Sequence, residues 1–407
     1  MRSRAGTALR LVGAAALAVA ATTRAQSRPP ISPAFAGVLD EHPAIQYAHR
    51  PTRDRVSQLN QALAQGAVSL SFHERGGYLR AVLDALAVPP ESQLLIFSKT
   101  GIQRAATSAR NPRAIFFDDS VVVGYIPHAR WLELAAHDPE QGVLFYTIDQ
   151  APAAMPRFTR RTSCLTCHVA SSTLEVPGMI VRSNFMSAYG DPIPQFGFHI
   201  VNHRTPLANR WGGWYVTGNY TTSPYGGIGH MGNVTTAMHR VSGPATTSNE
   251  VFIEWLNSEP EGRGYPSTDS DIAALMAFDH QMHAVNLLTR LNWEMRAAAH
   301  DGRVSFAAGP LRDLVDELVD YFLFVGEVPP PAGLTPRPGF AEKLARATPG
   351  DRHGRSLGQL HANAAVESPR LLRYSCSYMV YTAGFDNLPP AARMAVYERM
   401  WAILAGA

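Results

Sequence analysis

Two patterns of apolar residues divide the chain. Between residues 53–65 and 77–87 the apolar positions fall at helical spacing; in the second stretch Leu79, Val82, Leu83 and Leu86 share one face. From 94 the spacing shortens. The runs 94–97, 114–117, 121–126, 132–135 and 143–148 are apolar or β-branched, and Asn111-Pro112, Asp118-Asp119 and Asp138-Pro139 punctuate them as turns. A second strand region is expected over 195–201 and 212–217. In the first of these, Phe196, Phe198 and Ile200 alternate with Gly197, His199 and Val201.

After a Ser-, Thr-, Gly- and Pro-rich stretch at 242–268 the helical period returns. Asp269 or Ser270 is placed to cap a long helix ending near His300. A further helix is expected over 310–326, with Leu311, Leu314, Val315, Leu318, Phe322 and Val325 on one face. Residues 329–339 read as a stiff Pro-rich linker, and a last helix covers about 390–405. These patterns predict an α+β protein. Its β-rich N-terminal part, 26–241, packs against a mainly helical part, 242–407.

The first 25 residues stand apart. Arg2, Arg4 and Arg10 precede a short Ala-rich apolar run, and Thr23 to Ala25 offer small residues where a signal peptidase cuts. The run is too short to span a bilayer. Segment 1–25 therefore reads as a signal peptide, and the protein as exported or periplasmic with no membrane span in its mature part. No cysteine follows the run to carry a lipid, and no Arg pair precedes it. The segment holds four Arg and no acid. Without it, 32 basic residues face 33 acidic ones, so the overall charge of +3 gives no argument for a nucleic-acid partner.

Only three cysteines occur, too few for a disulfide framework in so long a chain. Two lie in Cys164-Leu165-Thr166-Cys167-His168, a Cys-x-x-Cys-His motif. That spacing suits covalent haem. Each thiol adds to one vinyl group, one helical turn sets both sulfurs along one haem edge, and the next residue projects its imidazole to the iron. Cys164 and Cys167 are thus expected to attach one haem c and His168 to be the proximal iron ligand. Arg160 and Arg161 stand just upstream as partners for propionates. Zinc or dithiol chemistry at the two cysteines is the alternative. Zinc needs further ligands, and Cys376 is 209 residues beyond Cys167. The residues after the motif lack the βαβ pattern of a thioredoxin-like pair. Cys376, in an apolar stretch, is expected to be a buried free thiol.

Four further segments carry a resemblance: Trp211-Gly212-Gly213-Trp214-Tyr215-Val216-Thr217-Gly218, His230-Met231-Gly232-Asn233, Asp279-His280-Gln281 and Arg373-Tyr374-Ser375-Cys376-Ser377-Tyr378. With the single haem motif they resemble a family of exported bacterial cytochrome c-like proteins. The resemblance runs over about 94–400. It implies covalent haem and supplies no substrate.

The sixth iron position has two sets of candidates. His230 or Met231, in a Gly-rich loop, is the candidate distal ligand, since glycine lets backbone approach a flat cofactor. Met179, Met186, His199 and His203 are weaker alternatives, with core packing the competing role of the methionines. On the long helix, Asp279, His283, Asn286 and Arg290 form a polar stripe, and His280 stands beside it. His280, His283 and Arg290 are candidate catalytic residues of a peroxidase- or oxygenase-like pocket. The same stripe also reads as a buried network joining two parts of the fold. Trp211, Trp214, Tyr215, Tyr220 and Tyr225 form an aromatic core or a wall of the haem site. There is no phosphate loop, dinucleotide fingerprint, nucleophile elbow or His-Glu-x-x-His helix. Two functions stand: electron transfer with a periplasmic redox partner, or a haem enzyme using a small-molecule oxidant. A single haem favours the first, and a chain far larger than electron transfer needs favours the second.

Overall fold

A computed structural model describes residues 39–187, 190–218, 264–267, 269–331, 333–334, 336, 339–361 and 370–406. The segment 1–25, the boundary at 241–242, Tyr220, Tyr225, His230 and Met231 lie outside the described residues.

Two short helices open the chain, α1 (Arg55–Ala64) and α2 (Leu79–Ala85). Asp54 starts α1: its carboxylate accepts from the Val56 and Ser57 amides at 2.9 Å each and so satisfies two N–H groups that a helix start leaves bare. The strands follow as β1 (Leu94–Ile96), β2 (Arg113–Phe117), β3 (Val121–Tyr125), β4 (Trp131–Asp138), β5 (Gly142–Asp149) and β6 (Thr159–Arg160). Each pairs antiparallel with the next, giving a six-stranded meander in sequence order. Gly142, at φ 82°, makes the reversal between β4 and β5.

Alternation assigns the sheet two faces. Leu95, Phe116, Val123, Leu132, Leu134 and Tyr146 point one way and share a core with Val56, Leu59, Val82 and Leu83 of α1 and α2. The other face, including Phe117, His137 and Phe145, meets the remainder of the chain. There the motif helix α3 (Leu165–His168), a two-stranded ribbon of β7 (Arg182–Asn184) and β8 (Phe198–Ile200), and the long helix α4 (Ile272–His300) come together. Phe117 lies 4.9 Å from Phe278 of α4, ring to ring, and His137 Nε2 sits 3.3 Å from the Thr289 hydroxyl. Helices α5 (Pro310–Phe322), α6 (Phe340–Ala347), α7 (Ala383–Asp386) and α8 (Pro390–Leu404) complete the helical part. The fold is mixed α+β, β-rich first and mostly helical after. Among the described residues no helix is long and apolar enough to cross a membrane.

Three expectations need correction. The 212–217 segment is no regular strand: it adds to the sheet edge through the bonds Phe97 N to Gly213 O and Tyr215 N to Leu95 O, 2.9 Å each. Ser270 does not cap α4. Its hydroxyl donates to Tyr215 O and accepts from Leu95 N, sewing the helix entry to β1, and Asp271 takes the cap position. Residues 195–201 do contain the expected strand, β8 paired with β7, with Phe196 and Phe198 46% and 52% exposed. Helix α5 also stops short of 326. Phe324 turns to φ 59° and leaves Val325 facing outward.

Candidate haem-attachment site

The motif follows β6 without delay. Thr162–Cys164 form a 3-10 turn that runs into the one-turn helix α3. This places Cys164 half-buried and Cys167 exposed, both as free thiols. Burial raises the Cys164 thiol to about 11, so at neutral pH it is a thiol and not a thiolate. Among the described residues no group of three His, Cys, Asp or Glu ligands includes either cysteine. Cys376 is free and half-buried rather than fully buried.

His168 is held from behind. Its Nδ1 lies 2.8 Å from the carbonyl oxygen of Gly178, and the Gly178 amide returns a 3.0 Å bond to His168 O. A carbonyl oxygen only accepts, so Nδ1 must carry the ring proton. Nε2 is then left with a bare lone pair. Burial also pushes the imidazole below its usual pKa; the Gly178 bond opposes that, and the charges of Arg113 and Arg182 add to it. The Phe145 ring, 4.5 Å from the imidazole between centroids, packs against it.

The loop from 169 to 178 is shaped by backbone chemistry. Leu174 and Glu175 take left-handed φ of 59° and 58°, a conformation that costs non-glycine residues about 1 kcal/mol or more each. Thr173 and Arg290 offset this: the Thr173 hydroxyl accepts from Ala170 N at 3.0 Å, and Arg290 donates to Leu174 O at 2.8 Å. Asn286, one turn earlier on α4, grips the other end. Its Oδ1 accepts from Met179 N and its Nδ2 donates to Met179 O, each at 2.8 Å. A Cβ on Gly178 would lie 2.3 Å from that Oδ1, so only glycine fits. The helical part thus fixes the peptide whose carbonyl orients His168.

Arg182 adds a charge. Its guanidinium lies 4.7 Å over the Phe198 ring, and its buried Nε has no acceptor. Among the described residues it forms no ion pair. Arg160 and Arg161 are engaged elsewhere, on Tyr47 O and on the Thr147 hydroxyl.

The remaining candidates occupy a different place. His280 Nδ1 is 2.7 Å from His203 Nδ1, and its Nε2 is 2.7 Å from the Ser377 hydroxyl. Burial lowers His280 to about 3 and His283 to about 4, and His283 packs edgewise on Tyr321. Asp279 meets Arg210 at 3.5 Å and Trp211 Nε1 at 3.0 Å, with both acid and guanidinium fully buried. Arg290 pairs with Glu294. The stripe is therefore a set of side chains with separate partners, and His280, His283 and Arg290 do not converge on one pocket. Met179 is held at its backbone by Asn286 and lines a small space with His137, Val143 and Val285. Met186 is buried at 2% beneath Gly213, and His199 is exposed.

Gly178, Phe145, Arg113 and Arg182 are the parts of this site that the sequence did not single out. Comparison with protein-family models, with curated proteins and with solved structures finds no match.

Proposed function

We propose that this is an exported c-type cytochrome-like protein carrying one haem through Cys164 and Cys167, with His168 on the iron, and that it works in electron transfer. One observation carries the reading: the Gly178 carbonyl fixes the His168 tautomer with Nε2 bare. Metal-ligating histidines almost always spend their second ring nitrogen in this way. The residues present suit the group. Two free thiols lie one turn apart with His168 next to them, and an unpartnered Arg182 Nε beside an exposed Phe198 ring matches a flat apolar cofactor with carboxylate arms.

When bound, the haem supplies a one-electron couple. The chain contributes the rest. The Gly178 bond holds the imidazole in orientation and strengthens it as a donor, Phe145 keeps water from one side, and Arg182 supplies a positive charge for a propionate. Acid–base catalysis at an open iron has less support, since both ring nitrogens of His280 are already hydrogen-bonded and burial keeps it neutral.

The test is co-expression with c-type maturation machinery, followed by spectra of the oxidised, reduced and carbon-monoxide-treated protein. Sharp reduced bands that carbon monoxide leaves unchanged, with haem retained after denaturation, are expected. Carbon monoxide binding would favour the enzyme reading, and a colourless protein would turn attention to zinc or dithiol chemistry.

A further inference from the structure

A cavity near the helical part has about 640 Å3, inside the range typical of small-molecule sites. It lies where α2, the β2–β3 turn, α6 and the 378–381 segment approach one another. Its walls are aromatic: Phe117, Phe340, Tyr378 and Tyr381. The floor is polar but spent. Gln281 accepts from the Tyr378 hydroxyl at 3.1 Å and donates to Asp118 O.

The rim charges nearly cancel. Arg55 pairs with Asp118, Arg80 with Asp84, and Lys343 stands 3.9 Å from Glu91. Asp119 is the one lining carboxylate without an ion pair among the described residues; desolvation and the neighbouring Asp118 charge hold its pKa above the usual carboxylate value, and a cation bound beside it would favour its ionised form. A separate small space of about 10 Å3, room for about one water, shares Asp119 and Gln281 and is lined by Met179, Met282 and Val285. His168 lines neither space.

We propose that this cavity binds a small organic cation with an aromatic body, its ring against Phe340 and Tyr381 and its ammonium on Asp119. Aromatic walls favour a flat body and attract a cation to their faces, and a carboxylate without an ion pair selects the sign of the charge.

Three probes of one shape test this: tryptamine, tryptophol and indole-3-propionate, which end in an ammonium, a hydroxyl and a carboxylate. Calorimetry on the full protein should show tryptamine bound about tenfold more tightly than indole-3-propionate. Asp119→Asn should bring tryptamine down to the level of tryptophol. Ala347→Trp, at an exposed lining position, should weaken all three while the thermal unfolding curve stays in place. Equal binding of amine and acid, tryptamine affinity unchanged in Asp119→Asn, or no binding of any probe would overturn the proposal. The titration is run on protein with and without haem. The cavity and the electron-transfer reading can then fail separately.

Discussion

Around His168 the protein leaves polar groups partly open, while around His280 it buries them against one another. The first region has two free thiols, an imidazole with one nitrogen spent, and a guanidinium Nε without an acceptor. The second has a His203–His280–Ser377 chain and an Arg210–Asp279 pair, all buried. Both regions are rich in chemistry-bearing residues, and composition alone does not separate them. What separates them is access to solvent. The His280 region is shut off from solvent even though His203 Nε2 and Asp279 Oδ1 have no partner there, and a buried polar group left so costs about 1–3 kcal/mol; the His168 region has an exposed thiol and an exposed Phe198 ring at its edge. A site for a ligand keeps some groups within reach.

The contrast breaks most visibly at the cysteines. Exchanging both, Cys164→Ser with Cys167→Ser, should abolish haem retention on a denaturing gel, whereas His280→Asn should leave retention intact. If the two variants lose haem alike, the division between the regions is wrong.

Next in size is the ion pair of the closed region. Arg210→Met strips Asp279 of its charge partner, and also removes the bonds to Thr205 O and His203 O. Losing one member of a buried pair costs about 3–5 kcal/mol. Asp279, which burial already lifts to about 7, can take up a proton, so a loss near the lower end is expected in urea unfolding.

Asn286→Ala sharpens the comparison, since this residue belongs to the α4 stripe yet serves the open region. Freeing the Met179 N–H and C=O should cost about 2 kcal/mol. It should also weaken the Gly178–His168 bond, making the imidazole a poorer donor and moving the reduction potential upward. Asn286→Gln leaves hydrogen-bonding groups but not their reach, and should restore neither property. A potential identical to that of the parent protein would reduce Asn286 to a packing residue.

The smallest effect at neutral pH is the acid response. His280, His283 and His137 titrate near 3, 4 and 4 when folded, against 6.5 as free side chains. Between those values these three groups bind more protons in the unfolded chain, so their contribution to stability should fall as pH drops from about 6.5 to about 4. Asp279 acts in the opposite sense, because its folded form holds a proton between 3.8 and about 7. His168 and His203 are lowered as well, and Asp54, Asp119, Glu294 and Glu327 are raised like Asp279, so the histidine contribution is read as the difference between parent and variant. His280→Asn should flatten the decline, by up to about 1.4 kcal/mol per pH unit for one proton.

Local pattern made much of this legible. The strands from 94 to 148 and the helices at 55, 79, 272, 310 and 390 follow from the spacing of apolar residues, which depends on near neighbours alone. The Cys-x-x-Cys-His motif is legible for the same reason. The supports of His168 are not. Gly178 is ten residues away across two left-handed residues, Arg113 comes from β2, and Asn286 from α4, so only the folded chain assembles them. The burial of His280 was one of the two readings of the stripe, but its partners His203 and Ser377 were hidden, because a helix buried on every side carries little amphipathic signal to say which face meets which partner.

Gly178 and Asn286 also have a consequence for how this chain can vary over generations. Any side chain at 178 would collide with the Asn286 amide oxygen, and any change at 286 that drops the amide leaves the Met179 peptide bare. Neither position can drift alone without penalty. Across descendants that keep the haem motif, the two should be inherited as a pair, and a lineage that gives up one should show the other already changed.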